Sequence, residues 1–235
     1  MSAFIAAWSV TTLIASTGLI LLVLAVRRPT RRWLGPGLAY ALWLLPAVRL
    51  ILPALTVEML PLAGRAAARL PVALVGPYAD TAPGAALAQS LVPEVVLTIW
   101  LGGAAGPFVT YAVRHVLYCR RLRTDGAGAG RVGNIRVLAA DVRGPLAFGV
   151  RQRCIAVPRT FATEYTAGER DLALAHEAAR HVRGDLIANW VSIVVLALHW
   201  WNPASWIAIR AFRDDQEFAT DAHVLAAIGP DAIPS

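Results

Sequence analysis

The stretch LALAHEAARHVRGD, residues 172–185, places His176, Glu177, Arg180 and His181 close together. A histidine followed at once by a glutamate opens the pattern H-E-x-x-H. There, two histidines four apart bind zinc and the glutamate acts as general base on the metal-bound water. Residues four apart stand only about 40° apart around a helix, so both imidazoles reach one ion. Here the second histidine lies one residue too far, and Arg180 stands where the second ligand belongs. Residues five apart stand about 140° apart. Three outcomes stay open. A π-bulge between them would realign His181 with His176. A metal-poor site would have Arg180 paired with Glu177 or Glu217. Another ligand set would draw on His199 or His223.

A catalytic zinc takes three protein ligands and leaves a fourth position for water. Glu217, in the segment RDDQEFATDAHVL (213–225), is the strongest candidate for the ligand outside the His-Glu helix. Asp221 lies one turn further on and suits an acceptor behind a liganding histidine.

The elements that must position these residues read as those of a membrane protein. Of 235 residues, 57% are hydrophobic and only 16% charged, against about 25% charged in soluble domains. Mean hydropathy is +0.55. The net charge is +7, and every basic side chain is arginine. Most of these arginines flank apolar runs, which points to membrane topology and not to nucleic-acid binding. Three runs are expected to cross the bilayer, at about 3–26, 34–55 and 95–117. Arg27, Arg28, Arg31 and Arg32 follow the first, and Arg120, Arg121 and Arg123 follow the third. By the positive-inside rule the N-terminus lies outside and the chain from about 118 onward lies in the cytoplasm. Residues 56–92 read as a Pro/Gly/Ala-rich loop. TDGAGAGRVG (124–133) reads as a flexible linker. IRVLAA and CIAVP read as short strands. The segment from Phe161 reads as helix, with Thr166 and Glu169 at capping-box spacing. The apolar run 186–212 is broken by Asn202-Pro203, where the residue before proline disfavours helix. A continuous span would put Glu217 on the opposite side from His176, whereas a hairpin bent at that turn returns both to one face. Cys119 and Cys154 form no disulfide framework and are expected as reduced thiols.

His176-Glu177, His199-Trp200-Trp201-Asn202-Pro203 and the R-x-D-x-E-x-A-x-D segment from Arg213 to Asp221 follow three apolar helices and a β element in this order. In that order they resemble the membrane zinc metallopeptidases of the β-lactam-sensing antirepressor (Bla/Mec sensor-transducer) family, over nearly the whole chain. The resemblance implies a mainly α membrane protein. Residues 1–118 would form the transmembrane region. Residues 119–235 would form a cytoplasmic gluzincin-like metallopeptidase domain, with a small β element and a membrane-associated helical hairpin over 186–212. It implies zinc held by His176, His181 and Glu217, Glu177 as catalytic base, and Asp185, Asp215 and Asp221 in support. It also implies location in a bacterial-type inner membrane in contact with lipid. The substrate would be a cytoplasmic protein of the transcriptional-repressor kind. Three departures qualify this. Asp185 keeps its offset from His176, so Arg180 replaces the second ligand without an insertion. Thr220 stands for the family's usual cysteine. The chain ends soon after Leu225 and carries no S-x-x-K motif, so a direct β-lactam receptor role is not expected. The alternative to an active peptidase is a catalytically degenerate relative acting as a membrane signalling or binding scaffold.

Overall fold

The computed structural model describes residues 2–52 and 85–228. It is mainly helical, with one small sheet. Helix α1 (Ser2–Leu34) and helix α4 (Ala85–Asp125) are long and apolar enough to cross a membrane. α1 continues through Pro29 beyond the expected end at 26. α4 begins within the segment expected as loop, since 85–92 are helical; the rest of that loop, 56–84, lies outside the described residues. At 41 residues, α4 is roughly 60 Å long, more than a bilayer's thickness, and Cys119 and Leu122 near its C-terminal end support the sheet.

The run expected as one spanning helix at 34–55 is broken. Within the described residues it forms α2 (Pro36–Ala41) and α3 (Leu44–Ile51). Pro46 explains the break. Its ring excludes the carbonyl of Leu42 and it has no N–H to give it. The chain turns instead through Trp43 N–H to Tyr40 O and Leu45 N–H to Leu42 O, each 3.1 Å.

The sheet has strand order β1-β2-β4-β3. β1 (Ala127–Val132) and β2 (Ile135–Ala140) form an antiparallel hairpin around Gly133-Asn134, with Gly133 at φ 57°. The glycine-rich segment expected as a linker is therefore an edge strand. It shows no apolar alternation because all of it but Val132, at its end, is exposed. β4 (Cys154–Pro158) runs parallel to β2, and β3 (Leu146–Phe148) pairs antiparallel to β4 at the other edge. β4 is buried on both faces, which is why it reads as an unbroken apolar run. The period-two alternation sorts the two cores. Leu138, Ala140, Cys154 and Ala156 pack with Cys119 and Leu122 of α4. Ile135, Val137, Ile155 and Val157 face Ala173, Leu174 and Ala178 on the next long helix.

That helix, α6 (Ala167–Arg183), follows a single turn, α5 (Phe161–Glu164). The capping box forms as expected: Thr166 Oγ1 accepts from Glu169 N–H, and Glu169 accepts from Thr166 N–H at 2.8 Å. Gly184 ends α6 at φ 76°, and α7 (Asp185–Leu198) leaves at 60° to it. A left-handed residue is needed at that corner, and glycine adopts it without strain. α8 (Pro203–Ile228) then runs back along α7 after the turn His199–Asn202. Asn202 Oδ1 accepts from Ala204 N–H at 3.0 Å, which caps the start of α8. The hairpin bend lies where Asn202-Pro203 places it.

The hairpin is fixed to the long apolar helices at two levels. At its tip, Trp100 of α4 donates to Leu198 O (3.0 Å) and Trp200 donates back to Trp100 O (3.2 Å). Gly103 lies flush against the Trp200 ring, and a side chain there would collide with it. Nearer the sheet, Asp215 of α8 lies between Arg27 (3.2 Å) and Arg31 (3.3 Å) of α1 and accepts from Trp43 Nε1–H (2.9 Å). Its side chain is 0% exposed, against 61% for neighbouring Asp214. Removing a partner from a buried pair leaves an uncompensated charge, worth about 3–5 kcal/mol. Asp215→Ala should therefore lower the midpoint of thermal unfolding in detergent sharply, while Asp214→Ala leaves it nearly unchanged. Equal effects would show that this level does not hold the helices together.

Candidate functional site

α6 and α8 meet with His176, Glu177 and Arg180 on one side and Glu217 and Asp221 on the other. Both pairs, 176/180 and 217/221, are four apart and so share a helix face. His176 Nε2 lies 3.5 Å from Glu217 Oε2, and its Nδ1 lies 3.2 Å from Asp221 Oδ1. Arg180 extends into the same space. Its guanidinium donates to both carboxylate oxygens of Glu217, and its Nε lies 3.5 Å from Glu177 Oε2. Glu177, buried behind it, also accepts from Ala147 N–H on the edge strand β3 at 2.6 Å. β3 is in register with β4 at Leu146, Ala147 and Phe148, and the Ala147 N–H is given to Glu177. The Glu177 carboxylate therefore caps an edge amide that would otherwise lack a partner.

His181 is not part of this group. α6 is a regular helix, so no bulge realigns it. It turns toward the sheet, buried, with Nε2 3.0 Å from Cys154 O. Asp185 and Asp215 also lie apart. Asp185 accepts from Tyr40 and Thr220, each 3.1 Å, and pairs with Arg183 at 3.3 Å. Asp215 serves Arg27, Arg31 and Trp43 as described. His199 is fully buried in the hairpin turn, and His223 is exposed on α8. The sequence brings out His176, Glu177, Glu217 and Asp221 as candidates, and the structure gathers these. Arg180 stands in the site in the pairing with Glu217 and Glu177 that the sequence left open as one of its outcomes, and the residue the structure adds is Ala147, whose backbone amide has no signature in the sequence.

The electrostatics follow from this packing. The hydrogen bond to Glu217 raises the His176 pKa above its ordinary value, against the opposing effect of burial. His176, and then Arg180, hold the Glu217 carboxyl down at about 2. Burial pushes the Glu177 carboxyl up, with the Arg180 charge opposing. Burial lowers the His181 pKa. The cluster is thus a clasp between α6 and α8 in which the His176 imidazole and the Arg180 guanidinium face three acidic side chains.

The residues present do not fit a catalytic zinc. Only the His176 imidazole and the Glu217 carboxylate converge as donors, and Asp221 faces the other ring nitrogen. A guanidinium stands where a third ligand is needed, and it has no lone pair to give. Among the described residues no trio of His, Cys, Asp or Glu gathers around a common point.

The sequence profile described as BlaR1 peptidase M56 matches residues 8–233. The regulatory protein BlaR1 of Bacillus licheniformis is 26% identical over 84 residues, which is 36% of this chain and 14% of that protein. The aligned part thus spans a small fraction of that relative's length. The profile covers both long apolar helices, the sheet, the His-Glu helix and the returning helix that carries Glu217, so the chain belongs to the BlaR1 peptidase M56 family.

Proposed function

We propose that this chain is a membrane-embedded member of its family whose peptidase site is closed by an arginine. It would act as a non-hydrolytic signalling or binding component. One observation carries this reading: the Arg180 guanidinium, bonded to Glu217 and beside Glu177, occupies the space where a metal's remaining ligand would stand. Arginine stays charged at every physiological pH and offers only donors. It can neutralise these carboxylates, but it cannot polarise a carbonyl or activate water as a Lewis acid does.

In this reading α1, the 36–51 segment and α4 cross or enter the bilayer, with the N-terminus outside. The sheet, α6 and the clasp lie on the cytoplasmic side, where a regulatory protein partner would meet them. The arginine-rich ends of α1 and α4 support that orientation. A second reading is a zinc peptidase acting on a cytoplasmic protein such as a transcriptional repressor. It is favoured by the convergence of His176, Glu177 and Glu217 on one face.

Zinc content of the purified protein separates the two. The wild-type chain should carry well under one zinc per chain, and Arg180→His, which restores H-E-x-x-H without disturbing His181, should carry about one. Stoichiometric zinc in the wild type would defeat the arginine-closed reading.

The clasp also has a pH signature. A histidine with a raised pKa stabilises the fold fully below its ordinary 6.5 and loses that contribution as pH rises through the raised value. A carboxylate with a lowered pKa contributes fully above its ordinary 4.5 and loses that as pH falls toward about 2. The difference in unfolding temperature between wild type and His176→Gln should be widest from 4.5 to 6.5 and shrink on either side. A gap that is constant with pH would show that His176 is not paired through its charge.

Orientation is tested at His223, which is exposed near the clasp. His223→Cys should resist a membrane-impermeant maleimide in intact cells and react after permeabilisation. Labelling in intact cells would place this face outside.

A further inference from the structure

Away from the clasp, the hairpin tip meets α1 through polar groups. Asn202 Nδ2–H donates to Thr17 Oγ1 at 3.1 Å. Around this contact Thr12, Ser16, His199 and Ser205 are all buried, Ser16 and His199 at 0% exposure. Their side-chain atoms Thr12 Oγ1, Ser16 Oγ, His199 Nε2 and Ser205 Oγ have no hydrogen-bond partner.

The two contacts between α1 and α8 put these groups at one level. Both helices run the same way from the Thr17–Asn202 contact to the Arg27–Asp215 pair. Ser16 precedes Arg27 by eleven residues and Ser205 precedes Asp215 by ten, so each lies roughly 15 Å up its helix from that pair. That distance is about half the thickness of a hydrocarbon core. Thr12 is one turn from Ser16 on the same face of α1.

The imidazole identifies what is required there. His199 Nδ1 lies 2.9 Å from Val195 O, and a carbonyl only accepts, so Nδ1 carries the proton and Nε2 of the neutral ring is an acceptor. Nε2 completes no hydrogen bond by distance and angle, although the Leu13 backbone lies close to the ring. As an acceptor it needs a donor that no side chain supplies. The three hydroxyls can donate or accept, yet none reaches another. A water molecule meets both requirements, since it needs two to four polar partners and bridges groups too far apart to bond directly. An acyl chain from the neighbouring apolar cavity, about 500 Å³ and lined in part by Ser205, Ile20 and Phe212, would leave every one of these groups unpaired.

We infer that α1 and the His199–Ser205 turn enclose an internal water-binding site in the apolar interior of the helix bundle, with Thr12, Ser16, His199 and Ser205 as its ligands.

Radiolytic hydroxyl-radical footprinting of the full chain in detergent, in 18O-labelled water, tests this, because bound water oxidises the side chains beside it. His199 should be labelled severalfold faster than Phe212, an equally reactive class of buried ring with no polar neighbour of this kind. In Ser16→Ala/Ser205→Ala the His199 labelling should fall severalfold and the unfolding temperature should drop, because bridging bonds are lost. His199 labelled no faster than Phe212 in the wild type would overturn the site, and this arm does not depend on the variant folding. An unfolding temperature unchanged or raised in the double variant would also overturn it, since deleting dry, unpaired hydroxyls costs nothing.

Discussion

The buried carboxylate of Asp215 sets the position of everything that follows. It lies between two arginines of α1 and below the indole N–H of Trp43. A charge with no exposure is tolerated only when its lone pairs are met, because desolvation of each ion costs several kcal/mol. Here three donors meet it from two elements, and Arg27 also donates to Ala211 O at 2.9 Å. This fixes α8 in rotation and in height against α1. Once Asp215 faces α1, helical geometry decides the rest. Gln216 and Thr220 turn inward to Tyr40 and Asp185, each through a bond near 3 Å. Glu217 and Asp221 turn toward α6. One helix thus addresses the membrane helices, the Gly184 corner and the candidate site with three different faces.

Local chemistry was legible in the sequence and distant chemistry was not. The capping box at Thr166 and Glu169, the strands at 135–140 and 154–158 and the bend at Asn202-Pro203 each depend on residues within a few positions. Pattern and propensity therefore reach them. The break between α2 and α3 follows from Pro46, equally local, but the apolar composition of that run masks it. β1 escapes notice because an exposed glycine-rich edge strand has no alternation to read; only its pairing with β2 makes it a strand. Within the site, His176, Glu177, Glu217 and Asp221 were legible from motif spacing. The roles of Asp185 and Asp215 were not, because their partners Tyr40, Arg31 and Arg27 lie far back in the sequence, Tyr40 145 residues before Asp185 and Arg31 184 before Asp215. Nor was the place of His181. Its spacing of five from His176 said that a regular helix would separate them, and the helix is regular. The sheet side then offers the Cys154 carbonyl, so the imidazole gains a buried hydrogen bond where it stands and has no cause to distort α6.

The proposed replacement of a ligand by Arg180 would also explain why the remaining architecture persists. A bound zinc does three things for such a site: it draws facing helices together, neutralises the carboxylates, and keeps one position open for a reacting water. A guanidinium does the first two, through planar directed donors suited to a carboxylate. It cannot do the third. The clasp of Arg180 and His176 on Glu217, with Asp221 behind the imidazole, closes α6 onto α8 without a metal. Glu177 then has a structural reason to stay. Its carboxylate lies between the Arg180 Nε and the Ala147 amide of β3, so removing it would leave that edge N–H without its acceptor and the Nε without a facing carboxylate. A residue placed to act as a general base is held by those two contacts as a tie between helix and sheet. In the arginine-closed reading the two helices keep the facing arrangement that His176 and Glu217 give them, while the contacts between them are those of an ion-pair network.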